Sequence, residues 1–211
     1  QATPSASFTS DQQTGCTPLN VQFTSTSTGA ASYLWDLGNG NSSTLPNPAN
    51  LYTSPGTYTV KLTVNDGMGN LDSVVMVNYI TVVGNPTADF NSPILATCLD
   101  GNSFTFNNTS VGGATYLWDF GDGSTSTLPN PTHSYTLQGS FTVTLIATNA
   151  FGCIDVKIKN QYITIYPKPN PTITSAVTAS CDPATMFQFS NNASNATSWL
   201  WSFGDGTTSS A

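Results

Sequence analysis

The sequence has 211 residues, a net charge of −7 at pH 7 and only 7% charged residues. Glu and Arg are absent, whereas Thr, Ser and Asn number 33, 25 and 20. Without the strongest surface helix formers, the composition argues against a helical protein. Four cations are too few to meet a phosphate backbone, which argues against nucleic-acid binding. No apolar run approaches the roughly 20 residues of a transmembrane segment. We therefore expect a soluble chain rich in β-strands.

An internal repeat organises the chain. Trp35, Trp118 and Trp201 are equally spaced and lie in closely similar segments of the form aromatic-Leu-Trp followed by Gly-(Asn/Asp)-Gly. The same offset relates many other positions between the first two copies. Self-similarity at a fixed period is the signature of tandem structural units. We predict module one at residues 1–84, module two at 85–167, and the first half of module three at 168–211.

Within each module the apolar residues recur with a period of two. The strand from Tyr58 to Val64 alternates apolar side chains with Thr and Lys, and the strand beginning at Phe141 repeats this alternation. Such alternation is typical of strands with one buried face, and turn signals separate the strands. The pattern predicts an all-β fold of tandem antiparallel β-sandwiches. The predicted core contains one Trp from each module and one aromatic residue from each long strand: Trp35, Trp118, Trp201, Tyr58 and Phe141.

Three leucines flank the predicted core tryptophans. Leu34, Leu117 and Leu200 each lie between two inward-facing aromatic residues. Since successive side chains of a strand point to opposite faces, we expect these leucines to face away from the main core. Cover could come from a loop or from an adjoining module.

Three motifs in a fixed order resemble the PKD domain. They are Trp-Asp-Phe-Gly-Asp-Gly, the Pro-x-His-x-Tyr segment that ends at Tyr135, and a Gly-x-(Tyr/Phe)-Thr-Val-x-Leu strand. The resemblance implies immunoglobulin-like sandwiches, similar to the tandem modules of bacterial adhesins and gliding-associated proteins exported by the type IX route. It implies a non-enzymatic extracellular stalk. Implied partners are neighbouring modules of a longer polypeptide, secretion machinery, surface glycans or like chains.

Two other functions remain open at this stage. One is a carbohydrate- or protein-binding accessory module of a secreted hydrolase, and the other is a subunit of an extracellular fibre. No nucleophile elbow is present and the single histidine, His133, does not recur between modules, so we expect no catalytic residues. We also expect no cofactor. Ser73 lies in Asp-Ser-Val, which resembles the acceptor for O-glycosylation in bacteria with type IX export.

The Gly-Asp-Gly turns offer carboxylates that calcium could use. Asp119 and Asp122 are the candidates in module two. Calcium takes six to eight oxygens, often from several carboxylates, and each turn supplies one or two acids. We therefore favour a structural turn, in which short polar side chains hold a tight bend, and keep calcium as the weaker alternative.

Four cysteines and two linkers complete the pattern. Cys16, Cys98 and Cys181 hold the same early position in each module, and Cys153 occurs only in module two. Cys98–Cys153 is the one pair available within a module, and we predict it as a disulfide, with Cys153–Cys181 as the alternative. We expect the linker at Gly84 to bend more than the proline-rich linker at residues 167–171.

Overall fold

The computed structural model describes residues 3–175, 179, 181 and 186–210. Over these residues the chain forms 21 β-strands. The described residues include no helix long and apolar enough to span a membrane. The strands are β1 (Phe8–Ser10), β2 (Thr14–Cys16), β3 (Leu19–Ser25), β4 (Ser32–Asp36), β5 (Ser42–Ser43), β6 (Ala49–Tyr52), β7 (Gly56–Asn65), β8 (Leu71–Val83), β9 (Phe90–Asn91), β10 (Ala96–Cys98), β11 (Phe104–Thr105), β12 (Asn107–Asn108), β13 (Thr115–Asp119), β14 (Thr125–Ser126), β15 (Thr132–His133), β16 (Gly139–Thr148), β17 (Ile154–Tyr166), β18 (Ile173–Ser175), β19 (Phe189–Asn191), β20 (Trp201–Ser202) and β21 (Thr208–Ser209). The prediction of an all-β fold is confirmed.

Module one is a sandwich of two sheets. A three-stranded sheet has the order β1-β3-β6, and a five-stranded sheet has the order β2-β8-β7-β4-β5. All pairs are antiparallel except β2 and β8, which run parallel. The inward side chains of both sheets form one buried cluster that includes Phe23, Trp35 and Leu62.

Module two repeats this arrangement. Its five-stranded sheet has the order β10-β17-β16-β13-β14, the counterpart of the sheet in module one. The facing strands are shorter and pair as β9 with β12 and β11 with β15. Its core cluster includes Phe106, Trp118 and Leu145, which lie one repeat length after their counterparts in module one.

The two long strands of each module carry a matched irregularity. The register between β7 and β8 shifts at Tyr58/Val60, and that between β16 and β17 shifts at Phe141/Val143. Opposite each shift, Asn78 and Gln161 have positive φ angles of 52° and 48°. A bulge adds twist and lets a long strand bend around the core. Tyr58 and Phe141 are therefore only partly buried, packed against the edge of each core cluster.

The turn after each core tryptophan requires glycine. Gly38 and Gly121 have φ angles of +81°, a conformation that L side chains rarely adopt. A Cβ atom on Gly38 would lie 2.3 Å from the carbonyl oxygen of Thr59, and one on Gly121 would lie 2.4 Å from that of Thr142. The turn thus packs directly on the backbone of the long strand, which explains why the glycine recurs with the tryptophan.

The described part of module three contains two short hairpins. Strand β18 pairs with β19, and β20 pairs with β21, both antiparallel. Trp201 stacks with Phe203 at a centroid distance of 6.3 Å, as Trp118 does with Phe120 at 6.4 Å. Trp201 is only half-buried, however, and Phe203 is exposed. Over the described residues Trp201 is thus less enclosed than Trp35 and Trp118, and its place in a core stays a prediction.

The leucines beside the tryptophans face outward, as the alternation predicts. Leu34, Leu117 and Leu200 are 56%, 42% and 75% exposed. Among the described residues no loop encloses Leu117, which instead lies beside Ile146 and Val156 on the outer surface of its sheet, in register across the three strands.

Candidate functional site

The core tryptophans link each sheet to the loop that follows it. Trp35 and Trp118 are both 0% exposed. The indole Nε1–H of Trp35 donates to the carbonyl oxygen of Leu45 at 2.9 Å, and that of Trp118 donates to Leu128 at 3.0 Å. Both acceptors begin a Leu-Pro-Asn-Pro segment. A fully buried indole needs such a partner, so the repeated loop is positioned by the repeated tryptophan.

The Gly-Asp-Gly turns use their carboxylates for backbone hydrogen bonds. The Oδ1 atom of Asp119 accepts from the N–H of Gly121 at 2.8 Å, and Oδ1 of Asp122 accepts from Ser124 at 3.0 Å. Across the described residues, no three His, Cys, Asp or Glu side chains come together as a group able to hold a metal ion. These contacts support the structural-turn interpretation, and calcium binding at Asp119 and Asp122 stays the weaker prediction.

His133, the only histidine in the sequence, contacts Asp122 of the turn in module two. Nε2 of His133 lies 2.7 Å from Oδ2 of Asp122, and the two side chains are 14% and 17% exposed. The imidazole stacks on Phe120 at 4.2 Å and meets the edge of Tyr135 at 4.6 Å. In module one the aligned residues are Asn39 and Asn50, so module one does not contain this pair.

The pairing shifts the ionisation of Asp122. Burial favours the neutral acid, but hydrogen bonds from Ser124 and His133 and the charge of His133 outweigh it, so the pKa of Asp122 is lowered. Burial also raises the pKa of Tyr135, and the charges of Asp122 and Asp119 raise it further. Tyr135 is therefore a neutral donor, and its hydroxyl donates to the carbonyl oxygen of Phe120 at 3.0 Å.

The lowered pKa predicts a pH-dependent contribution to the stability of module two. Because the pKa of this carboxyl is lower in the folded state than its unfolded value of about 3.9, its contribution is complete only above about pH 5 and is lost as the pH falls through the folded pKa. We expect Asp122→Asn to lower the free energy of unfolding by roughly 1 kcal/mol at pH 6 and to have a smaller effect at pH 3, below the unfolded pKa. Urea unfolding at both pH values measures this difference.

The matched control lies in module one. Asn39→Asp introduces a carboxylate at the aligned position, but Asn50 replaces the histidine there. Because its Oδ1 would still accept from the N–H of Asn41, we expect a smaller pH-dependent gain than the loss at Asp122. If Asn39→Asp stabilises module one by as much as Asp122→Asn destabilises module two, the carboxylate acts through the turn alone and His133 contributes nothing.

Two lysines replace apolar side chains along the last strand of module two. Lys157 and Lys159 align with Val74 and Met76, which pack against the core of module one. The ammonium of Lys159 donates to the carbonyl oxygen of Phe90, lies 4.7 Å from the centre of its ring, and is 3.4 Å from Oδ1 of Asp89. Lys157 lies 3.8 Å from the same carboxylate oxygen. In module two, ion pairs and a cation–π contact of these lysines thus replace the aliphatic packing of Val74 and Met76 in module one.

We expect Lys159→Ala to destabilise module two by about 1–2 kcal/mol. The variant loses a hydrogen bond to a backbone carbonyl and contact with two aromatic rings, and its side chain is only 25% exposed. Lys61→Ala is the control, since Lys61 is exposed on the long strand of module one. Equal stability of the two variants in chemical unfolding would contradict the role of Lys159.

Ser73 is exposed near the start of β8. Its backbone pairs with Thr63 of β7, and its hydroxyl side faces solvent on the outer surface of the five-stranded sheet. The preceding Asp72 is engaged, because its Oδ2 atom accepts from the N–H of Ala6 at 2.8 Å. The position leaves Ser73 reachable, and its modification stays a prediction.

The disulfide joins two modules, and the predicted Cys98–Cys153 pair is wrong. Cys16 is bonded to Cys153, with a Cα–Cα distance of 5.5 Å and a sequence separation of 137 residues. Cys98 and Cys181 are free and exposed. Cys16 lies at the end of β2, and Cys153 lies in the turn between β16 and β17. The alternative Cys153–Cys181 pair is wrong for the same reason.

Hydrogen bonds between the two modules flank this disulfide. The side-chain amide of Asn149 donates from Nδ2 to the carbonyl oxygen of Gly84 at 2.9 Å, while its Oδ1 accepts from the N–H of Cys153 at 3.0 Å. The amide of Asn85 donates to the carbonyl oxygen of Thr17 at 3.0 Å. The turn that carries Cys153 is therefore held against the linker through a single asparagine. These contacts restrain the linker at Gly84, and the relative flexibility of the two linkers stays a prediction.

The corresponding turn of module one is built differently. Asp66 and Asn70 occupy the positions of Asn149 and Cys153. Nδ2 of Asn70 donates to Oδ2 of Asp66 at 2.6 Å, and this contact together with the adjacent backbone contributes to a lowered pKa of Asp66. The turn of module one is therefore stabilised by a side-chain hydrogen bond within the turn. The difference at these two positions is the sequence signal that could have identified the intermodular pairing.

Comparison with known proteins identifies the repeated unit. A sequence profile described as PKD domain matches residues 1–82 and 84–165. The chain belongs to the PKD domain family. The Trp-centred motif, the shared fold of both sandwiches and the repeat length are thus features of two consecutive PKD domains.

Relatives of these PKD domains are parts of much longer proteins. A microbial collagenase of Vibrio alginolyticus is 47% identical over 57 residues, which are 25% of this chain and 7% of the relative. The pre-pro-metalloprotease PrtV of Vibrio cholerae is 46% identical over 61 residues, which are 27% of this chain and 7% of the relative. The crystal structure of the PKD1 domain of that protease is 38% identical with a TM-score of 0.33, and the match covers 38% of this chain and 98% of that domain. The chain therefore spans a small fraction of the curated relatives that it matches.

Proposed function

We propose that this chain is a non-catalytic spacer segment of a secreted or surface-displayed protein. The observation that carries the proposal is the disulfide between Cys16 and Cys153, which ties consecutive PKD domains together outside the linker. A covalent second connection restricts the angle between two domains and is useful where a fixed separation matters. Structural disulfides also persist mainly in oxidising compartments, which supports an extracellular location.

The wider setting is proposed on the same basis. The chain serves as an accessory part of a longer polypeptide, as the short matches within a collagenase and a metalloprotease support. Its immediate partners are the neighbouring modules of that polypeptide. A large surface adhesin exported by the type IX route, with secretion machinery, surface glycans or like chains as further partners, is the specific form that we propose.

The test of a spacer is geometric. Small-angle scattering of the whole chain should give one narrow distribution for the distance between modules one and two. A second measurement should find no binding to collagen fibrils or to polysaccharides tighter than about 1 mM. A broad distribution of intermodular distances under oxidising conditions would contradict the spacer function.

A binding accessory module is the second candidate. One observation favours it: module two exposes Leu117, Val156 and Ile158 together on the outer face of its sheet. A contiguous apolar patch on a surface of low charge is a typical contact surface. Collagen binding by the chain, weakened by Leu117→Ser and unaffected by Leu34→Ser in module one, would favour this function over the spacer.

A further inference from the structure

One edge of the five-stranded sheet in module one is open along the first part of β8. Strand β7 pairs with one side of β8 from Leu71 onward, whereas β2 pairs with the other side only from Thr81 to Val83. Among the described strands, no other pairs with that second side. Residues 71–77 of β8, which we call the open edge, therefore have one side that no strand covers.

The backbone groups of alternate residues point out of the sheet at the open edge. The N–H of Asp66 donates to the carbonyl oxygen of Asn70, so this carbonyl faces β7. Because the hydrogen-bonding groups of successive strand residues point to opposite sides, Asp72, Val74 and Met76 face β7 as well. The residues that turn their N–H and C=O groups away from β7 are Leu71, Ser73, Val75 and Val77. Such a row of unpaired groups is a template for pairing with another strand.

The side chains of the open edge lack the usual protection against such pairing. Natural edge strands are commonly protected by Lys, Pro or an inward-pointing charge. Residues 71–77 contain no Lys or Pro, and the inward-facing Val74 and Met76 pack against the core. On the outer face, Leu71, Val75 and Val77 are exposed. The open edge therefore combines free backbone groups with an apolar surface.

The matching edge of module two is protected by charge. Residues 154–160 of β17 are likewise paired on one side only, because β10 pairs with β17 only from Thr164. Lys157 and Lys159 replace Val74 and Met76 there, and both ammonium groups lie within 4 Å of a carboxylate oxygen of Asp89. Inward-pointing lysines are one of the devices that keep sheet edges apart. The two modules thus differ at the positions that control edge pairing.

We propose that the open edge of module one binds the same edge of a second copy of this chain. The two β8 strands run antiparallel across a two-fold axis at Val74, and the two five-stranded sheets become continuous. This contact is independent of the spacer function, since it joins two chains side by side rather than two domains of one chain.

This register matches the two edges in their backbone groups. It places Leu71 opposite Val77 of the second copy and Ser73 opposite Val75 of the second copy. These are the residues whose N–H and C=O groups are free, so each opposed pair can exchange two hydrogen bonds. The open edge therefore complements itself, which is the requirement for a two-fold interface.

Charge selects module one for this contact. With the axis at Val74, Asp72 comes opposite Met76 of the second copy, so like charges do not oppose each other. The same pairing of module two would place Lys157 directly opposite Lys157 of the second copy. Like charges directly opposite each other destabilise a strand pair. The self-association is therefore expected at module one and not at module two.

The contact is small and therefore reversible. It joins one strand segment from each chain and buries less than the roughly 1,200 Å² at which standard stable interfaces begin. We expect a dissociation constant on the order of 0.1–1 mM for the free chain. Chains anchored close together pair more fully, because their effective concentration is higher.

Sedimentation of the 211-residue chain at concentrations up to about 1 mM tests the proposal. All proteins carry Cys98→Ser and Cys181→Ser, which prevents dimers linked through the exposed thiols. Val75→Pro removes an N–H that points away from β7, a position at which an edge strand tolerates proline. We expect this variant to weaken dimerisation at least about tenfold.

Ile158→Pro is the matched control, because Ile158 holds the position of Val75 in module two. It should leave the dissociation constant unchanged. A native chain that stays monomeric over the whole concentration range would overturn the proposal, and so would equal weakening by the two proline variants.

Hydrogen exchange measured by NMR tests the register on the chain without a change in β8. The amides of Ser73 and Val75 should gain protection as the concentration rises. Those of Val74 and Met76, which face β7, should exchange slowly at every concentration. Dimerisation without added protection at Ser73 and Val75 would place the contact elsewhere and overturn the proposed edge.

Discussion

Trp118→Ala should lower the free energy of unfolding of module two by about 3–5 kcal/mol. The indole is 0% exposed, lies 5.1 Å from the ring of Phe90 and 5.7 Å from that of Phe106, and donates to Leu128. Truncation leaves a cavity and an unpaired carbonyl in the loop. Since small domains have about 5–15 kcal/mol of stability, the loss is large enough to unfold module two at moderate temperature.

The neighbouring residue provides the control. Leu117→Ala removes an apolar side chain from the same strand, but Leu117 is 42% exposed on the outer face. We expect a change of no more than about 0.5 kcal/mol. Differential scanning calorimetry compares the unfolding of module two in the two variants, and the transition of module one is an internal reference. Similar losses for both variants would mean that the face assignment does not determine stability.

The sandwich and its core were predictable because they depend on local pattern. A period of two along β7 and β16 assigns buried and exposed faces without any knowledge of the partner strand. The repeat then transfers each assignment from one module to the other. Trp35, Trp118 and the outward leucines follow from these two regularities alone.

The features that sequence reasoning missed depend on contacts between distant residues. The alternation of β8 predicts inward apolar side chains, yet Lys157 and Lys159 fill the matching positions of β17 and are stabilised by Asp89 and the ring of Phe90. The intermodular disulfide depends on how one domain is placed on the next. Periodicity carries no information on that placement, and the assumption that a disulfide lies within one domain led to the wrong pair.

Cys16→Ser should widen the range of angles between the two PKD domains. The disulfide closes a loop of 137 residues, for which the chain-entropy model gives up to about 5 kcal/mol of stabilisation. That value applies when both domains unfold together. If one domain unfolds while the other stays folded, the effective loop is shorter and the contribution is smaller.

The clearest readout is the angle between the domains. Without the bond, the joint is held by the linker and by the hydrogen bonds of Asn149 and Asn85, which are each worth about 1 kcal/mol. We expect Cys16→Ser, or treatment of the native chain with dithiothreitol, to broaden the distance distribution between modules one and two in small-angle scattering. Both should also lower the unfolding temperature.

The control is Cys98→Ser, which removes an exposed free thiol at the equivalent position of module two. It should change neither the scattering profile nor the unfolding temperature of the 211-residue chain. Cys16→Ser is preferred to a change at Cys153, because Cys153 is 1% exposed and its replacement would also alter packing. If the distance distribution of Cys16→Ser matches that of the native chain, the linker and its two asparagines alone fix the joint and the disulfide is not what restrains it.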